Sequence, residues 1–267
     1  MKNNKELIIL VPSWDGAKEL WEPFSICIRK NWSNCSYDML LLTQSKEDLK
    51  DLVFSDILSS ATCASNPVER IRRAVDMLDY EYVMLLLDDY FAFKPIPKGI
   101  LEKHICFMRE MNIDYLDFDC RAGVPKYEKK SKGEIFYIST GVPCVFNKKF
   151  LVYILENIKA HSMREFEVLS SQFLNSCFET YKIYTCMNSN MFFMHGVLEG
   201  YWRRSAVKLM KKNEVKVKYK TYKKSTMLNT IRACMKAFVF NMVRLLNPNA
   251  LKGYYNATSK WTRKNNR

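Results

Sequence analysis

The most constraining feature of the chain is a pair of short, uninterrupted apolar runs, Leu7 to Pro12 and Tyr82 to Leu87, each of strand length and each followed at once by polar residues. A strand with one wet face alternates apolar and polar residues, so runs without alternation belong to strands covered on both faces. A parallel sheet with helices on either side meets that condition. Leu20, Phe24, Cys27 and Ile28 recur at helical spacing, Asn31 to Ser36 supplies turn residues, and Met39 to Leu42 is a third apolar run. Residues 46–57 and 67–80 are helical in pattern, the second opening at Asn66-Pro67 with a capping residue and a first-turn proline. This alternation predicts an α/β layer architecture built on a mostly parallel sheet flanked by helices.

Beyond Phe93 the pattern predicts a helix over 98–111, a strand over 115–119 and a polar loop over 121–133, in which Lys126 to Lys132 is expected to be mobile. Strand material over 135–146 is broken by Gly141 and Pro143, a helix follows over 148–161, and two short strands flank Asn188 to Asn190 within 181–194. Charge then divides the chain. Residues 1–202 carry 24 Lys+Arg against 27 Asp+Glu, whereas residues 203–267 carry 18 Lys+Arg against Glu214 alone, so the balances are −3 and +17. With no linker-like stretch before Trp202, the expected organisation is one domain over 1–202 and a basic, partly helical extension over 203–267.

Nine cysteines include no CxxC pair, and several lie in apolar runs, where a thiol behaves as a small buried hydrophobe. This points to a reducing, cytoplasmic setting. Leu7 to Pro12 is too short for a signal-peptide core, and nothing reaches the roughly 18 apolar residues of a membrane span. Membrane contact is therefore expected from the surface. In residues 227–246, Leu228, Ile231, Met235, Phe238, Val239, Met242, Leu245 and Leu246 follow helical spacing. Such a face beside basic residues suits an anionic membrane surface, and equally suits packing against the body or a second subunit. A nucleic-acid partner is not expected, because the body is near neutral and shows no zinc finger, RRM signature or helix-turn-helix arrangement. The GxxxxGK[ST] phosphate loop is also absent.

Asp88 and Asp89 stand where the most apolar run ends and precede Tyr90-Phe-Ala-Phe93. Carboxylates beside a buried strand need a partner, and the carboxyl ends of strands in an open α/β sheet are where ligands gather. Residue types alone leave two readings, a turn cap or ion pair on one hand and oxygen ligands for Mg²⁺ or Mn²⁺ on the other. Glu165 and Glu167 would share a face in an extended segment and diverge in a helix, where acids near the amino end are also favourable without any catalytic role. Asp117 and Asp119 alternate on a strand and are read as structural partners of Arg121 or Lys126. His104 and His161 are placed on helical surfaces without a role.

The segment Leu85-Leu-Leu-Asp-Asp-Tyr-Phe91 resembles the acidic motif of GT-A glycosyltransferases, with adjacent acids in place of the usual Asp-x-Asp. Residues 7–202 as a whole resemble bacterial transferases of surface-polysaccharide (capsule or O-antigen) assembly. The matching pieces are Pro12-Ser-Trp-Asp15, Leu20-Trp-Glu-Pro-Phe24, Lys30-Asn-Trp32, Arg164-Glu-Phe-Glu167 and His195-Gly-Val-Leu-Glu-Gly-Tyr-Trp202. The resemblance implies a GT-A-like, Rossmann-like fold and hexosyl transfer from a nucleotide sugar, UDP-linked in this family, to a growing cell-surface glycan, free or lipid-linked. It places Ser13, Asp15 and Asp88 at the nucleotide sugar, and Asp89, Asp88 and His195 at a Mn²⁺ or Mg²⁺ ion. Glu167 or Glu165 would take the acceptor hydroxyl's proton. A peripheral position on the inner face of the cell membrane would follow. The alternative is a non-catalytic glycan-binding or scaffold protein on the same fold, and after it a nucleic-acid-binding protein acting through the basic tail.

Overall fold

The computed structural model describes residues 6–55, 62–130, 138–177 and 180–226, together with residues 229, 231, 235, 236, 238, 239 and 242. The elements run β1 (Leu7–Pro12), α1 (Lys18–Asn31), β2 (Met39–Leu42), α2 (Pro67–Met77), β3 (Tyr82–Leu85), β4 (Tyr90–Ala92), α3 (Ile100–Met111), β5 (Tyr115–Phe118) and β6 (Lys126–Lys129). They continue with β7 (Cys144–Asn147), α4 (Lys148–Asn157), α5 (Met163–Ser176), β8 (Ile183–Met187), β9 (Phe193–His195), β10 (Val197–Leu198), β11 (Tyr201–Trp202), α6 (Arg204–Lys212) and β12 (Lys223–Lys224). Seven strands form the central sheet in the order β2-β1-β3-β7-β5-β8-β6. β1, β2 and β3 are parallel, as are β5 and β8, while β7 and β6 run against their neighbours. The expected helix-flanked, mostly parallel mixed sheet is what the chain forms.

The unbroken apolar runs are explained by the two cores. Leu7, Ile9, Val11, Met39, Leu41, Tyr82 and Met84 face a core shared with α1, α3 and α6. Ile8, Leu10, Leu40, Leu42, Val83 and Leu85 face the opposite core, shared with α2, α4 and α5. Every residue of β1 is buried, so both faces of the strand lose their contact with water on folding. The β4–β9 ribbon packs on the α1 side, where Trp32 meets Phe193 edge-on at 5.7 Å and Phe91 stacks on Trp202 at 5.7 Å.

Several local expectations need correction. Residues 46–55 form no helix: Asp48 Oδ1 accepts the Lys50 N–H at 3.0 Å, closing a side-chain turn, and Asp51 adopts a left-handed φ of 65°. Lys126–Lys129, expected to be mobile, is the ordered edge strand β6, held on β8 and by Tyr127, whose ring stacks on Phe107 at 3.7 Å. His104 is fully buried, its Nδ1 2.8 Å from Tyr127 Oη and its Nε2 2.9 Å from the Ser189 carbonyl. Residues 203–226 pack on the body: α6 buries Ala206 and Met210, and β12 pairs with β11. The amphipathic stretch over 227–246 and residues 131–137 lie largely outside the described residues. Of that stretch, Ile231, Met235, Phe238, Val239 and Met242 are helical and exposed. No helix among the described residues is long and apolar enough to cross a membrane.

Candidate active site

The chain leaves β1 to form β2 on one side and returns through α2 to form β3 on the other, so a crevice opens beyond the carboxyl ends of β1 and β3. Ser13 follows β1 into this crevice. On β3 the Leu86 N–H still bonds the Leu10 carbonyl at 3.1 Å, after which the Tyr90 N–H closes a turn onto the Leu87 carbonyl at 3.1 Å. Asp88 and Asp89 are the two middle residues of that turn. Adjacent carboxylates therefore point to different partners.

Asp88 turns inward. Its Oδ2 accepts from Ser13 Oγ, which in turn accepts from Trp21 Nε1 at 2.8 Å. Burial pushes the Asp88 carboxyl up to about 7, with repulsion from Asp89 adding to it against the hydrogen bonds of Ser13 and Trp21. This carboxyl is part of the site's wall.

Asp89 turns toward His195, because β4 pairs with β9 antiparallel and Tyr90 lies directly opposite His195. His195 Nδ1 is 3.0 Å from Asp89 Oδ2, but the contact lacks hydrogen-bond alignment, and His195 Nδ1 and Asp89 Oδ1 are both buried without a hydrogen-bond partner. Gly196 fixes the register: a side chain there would collide with the Phe91 ring, and its N–H bonds the Asp89 carbonyl at 2.6 Å. The Tyr90 ring lies 4.3 Å from the His195 ring.

This donor set fits a divalent cation only in part. One carboxylate oxygen without a hydrogen-bond partner, and one imidazole nitrogen whose close contact is the other oxygen of that carboxylate, match ions that take one or two protein ligands and fill the rest with phosphate and water. Asp88 is committed to Ser13, so the expected three-residue set reduces to Asp89 and His195. Among the described residues there is no group of three or more His, Cys, Asp or Glu clustered for a metal.

Glu165 and Glu167 lie on helix α5 and diverge. Glu165 belongs to the helix start: its N–H donates to Ser162 Oγ at 3.1 Å and its Oε2 accepts from the His161 N–H at 2.8 Å, a reciprocal cap. Glu167 Oε1 accepts from Thr140 N, Thr140 Oγ1 and Gly141 N at 2.7, 2.9 and 2.9 Å, pinning the 140–141 loop. A methyl group on Gly141 would lie 3.6 Å from Tyr90 Oη and 3.7 Å from Glu167 Oε1, so Glu167 is one side chain away from the Tyr90–His195 pair. Asp117 and Asp119 are structural as expected, paired with Lys130 at 2.8 Å and Arg121 at 2.5 Å. Lys126 pairs instead with Glu128.

Asp15 does not line the cleft. Its carboxylate holds the loop after β2, accepting from Gln44 N at 3.0 Å and from Ser45 Oγ at 2.5 Å. Burial pushes it up, but the Ser45 and Gln44 hydrogen bonds and Lys18 outweigh this and hold it below the usual carboxylate range. The cleft, of about 410 Å³, is walled by Ser13, Asp88 and Asp89, by the exposed Trp14 and Gln44, by Arg70 on α2, by His161 before α5, and by Tyr222. Arg70, 2% exposed, donates through Nη1 to the carbonyls of Ala64 and Ser65 at 2.5 and 3.1 Å, and through Nη2 to that of Ser13. Its signal in the sequence is a charge next to the apolar arc that Val68, Ile71 and Ala74 define. Tyr222, beyond the expected domain boundary, has no comparable signal.

No protein-family model matches the chain, and no curated protein is significantly similar. Among solved structures, S. aureus TarS aligns at 14% identity over 78% of this chain and 39% of its own, with a TM-score of 0.46. The TarS fragment 1–349 with UDP-GlcNAc aligns at 12% identity over 92% of this chain and 72% of its own, with a TM-score of 0.43. A cytidylyltransferase from Leptospira borgpetersenii aligns at 13% identity over 81% and 98%, with a TM-score of 0.42. Likenesses at this level carry no argument about activity, and the site is read from its own geometry.

Proposed function

We propose that the protein is a glycosyltransferase of GT-A-like design that moves a hexosyl group from a nucleotide-sugar donor, with UDP the first nucleotide to test, to a growing cell-surface glycan. The observation that carries this reading is Asp89, which lines the cleft at the switch point of the sheet with its Oδ1 buried and without a hydrogen-bond partner, and whose Oδ2 lies 3.0 Å from His195 Nδ1 behind it. Asp89 and His195 are the residues that would hold a divalent cation, which when bound would offset charge on the leaving nucleoside diphosphate. Ser13 and Asp88 form the wall beside the diphosphate, and the Arg70 guanidinium keeps the Ser13 backbone and the 64–65 loop in place around it. Trp14 offers an exposed aromatic surface at the rim, suited to a planar base. Asp15 contributes indirectly by holding the loop that carries Gln44.

Glu167 is the carboxylate assigned to the acceptor's proton, since the 140–141 loop it holds lies beside Tyr90, whereas Glu165 caps the start of α5. Glu167→Gln tests this cleanly: the amide oxygen can still accept from Thr140 and Gly141, so the fold is kept. The expected result is UDP binding unchanged within about twofold and sugar transfer reduced by about 100-fold or more. Transfer at the wild-type rate would remove Glu167 from the mechanism. The basic tail is assigned to an anionic membrane surface, where a lipid-linked acceptor would be presented.

A further inference from the structure

Resting on the nucleotide-sugar reading, we propose that residues 216–224 form a strap that completes the donor site, with Tyr222 as a donor-binding residue and Glu19 as the latch that positions it. Glu19, in the first turn of α1, accepts three backbone N–H groups of the strap: Lys220 and Thr221 at Oε2, at 2.9 and 3.1 Å, and Tyr222 at Oε1, at 2.9 Å. Charge-assisted bonds of this kind are about twice as strong as neutral ones, and three on one carboxylate hold residues 216–222, which lie outside any helix or strand, before the chain joins β11 as β12. Thr221 Oγ1 adds a bond to the Gly16 carbonyl at 2.7 Å, and the Lys223 N–H bonds the Gly200 carbonyl at 2.9 Å. The strap is thus tied at both sides of Tyr222 to the loop after β1 and to the turn before β11.

The outcome is that Tyr222 lines the same cleft as Asp88 and Asp89. Its oxygen accepts from Trp14 Nε1 at 3.2 Å, so the phenol's own proton is left to donate toward the cleft. Burial and the fields of Asp88 and Asp89 raise its pKa, so it stays a donor throughout the working range of pH. A neutral hydroxyl donor lining this cleft suits an anionic oxygen of the kind a nucleoside diphosphate carries. It also orients the Trp14 indole at the rim. The chain between α6 and β12 is in this way part of the site, although it belongs to the strongly basic end of the sequence.

The test is calorimetric titration of UDP with Mn²⁺ into the full-length wild type, Tyr222→Phe and Glu19→Gln, combined with limited trypsin digestion with and without UDP. Lys216, Lys218, Lys220, Lys223 and Lys224 are all exposed and report on the strap. Tyr222→Phe, which keeps the ring, is expected to weaken UDP about fivefold to tenfold, the effect of one hydrogen bond. Glu19→Gln is expected to weaken UDP similarly and to speed cleavage between Lys216 and Lys224, with UDP protecting the wild type there. Unchanged far-UV circular dichroism in both variants separates these effects from misfolding. Wild-type binding with both variants within twofold of it would overturn the strap and leave the nucleotide-sugar reading intact. No binding of UDP, CDP or GDP by the wild type would overturn both.

Discussion

Two adjacent aspartates carry different chemistry because a turn points them apart. Asp88 is held beside Ser13 in a dry wall, and its folded pKa near 7 lies above the unfolded value of 3.8. The folded state therefore binds the proton more tightly between those values, and stability falls as the pH rises from about 4 toward 7 and stays reduced above it. Asp88→Asn removes this penalty. It is expected to stabilise the protein by on the order of 1–3 kcal/mol at pH 8, with the gain shrinking toward pH 4 in thermal melts. A gain that does not change with pH would contradict the assignment. Both acids were legible in the sequence as a charged pair ending an apolar strand, but their division of labour was not, since it depends on the Leu87–Tyr90 turn and on β9. His104 shows the same limit: it lies on a helix face covered by Tyr127 of β6, Phe118 of β5, Cys186 of β8 and the Ser189 turn, and covering elements distant in sequence leave no periodicity to read.

At the scale of elements, the strands were readable because burial on both faces removes alternation, as in β1 and β3. The antiparallel insertion of β7 between β3 and β5 was not, because strand direction is set by connections and packing, which apolar runs do not encode. The β4–β9 ribbon is the element on which the site depends most. It sets His195 beside Asp89 and is registered by Gly196 against Phe91. Gly196→Ala is expected to cost on the order of 1–3 kcal/mol, as overpacking does, and to weaken metal-dependent nucleotide binding by shifting His195. A melting temperature and a UDP affinity both equal to wild type would show that Phe91 yields without moving the ribbon. Glu165 illustrates the opposite case: an acid read as favourable near a helix's amino end is found there, in a reciprocal cap with Ser162.

The whole molecule joins a near-neutral body to a basic end, and the two are less separate than charge suggests. α6 and β12 are packed into the body and Tyr222 reaches the cleft, so removing residues 203–267 would damage the site itself. Further along, Ile231, Met235, Phe238, Val239 and Met242 fall within about 100° of a helical wheel and are exposed, while Lys236, outside that arc, bonds Glu199 at 2.9 Å. With +17 over residues 203–267, this stripe suits an anionic bilayer. The double substitution Met235→Glu with Phe238→Glu is expected to reduce co-sedimentation with vesicles containing phosphatidylglycerol by about fivefold or more, and equal sedimentation would remove the membrane role. The central claim, a nucleotide-sugar site at Asp89 and His195, is tested most directly by titrating UDP into the full chain with Mn²⁺ or with chelator, for wild type and Asp89→Ala. The account predicts binding that requires Mn²⁺ and is lost in Asp89→Ala with the fold intact; binding that survives both the chelator and the substitution would contradict it.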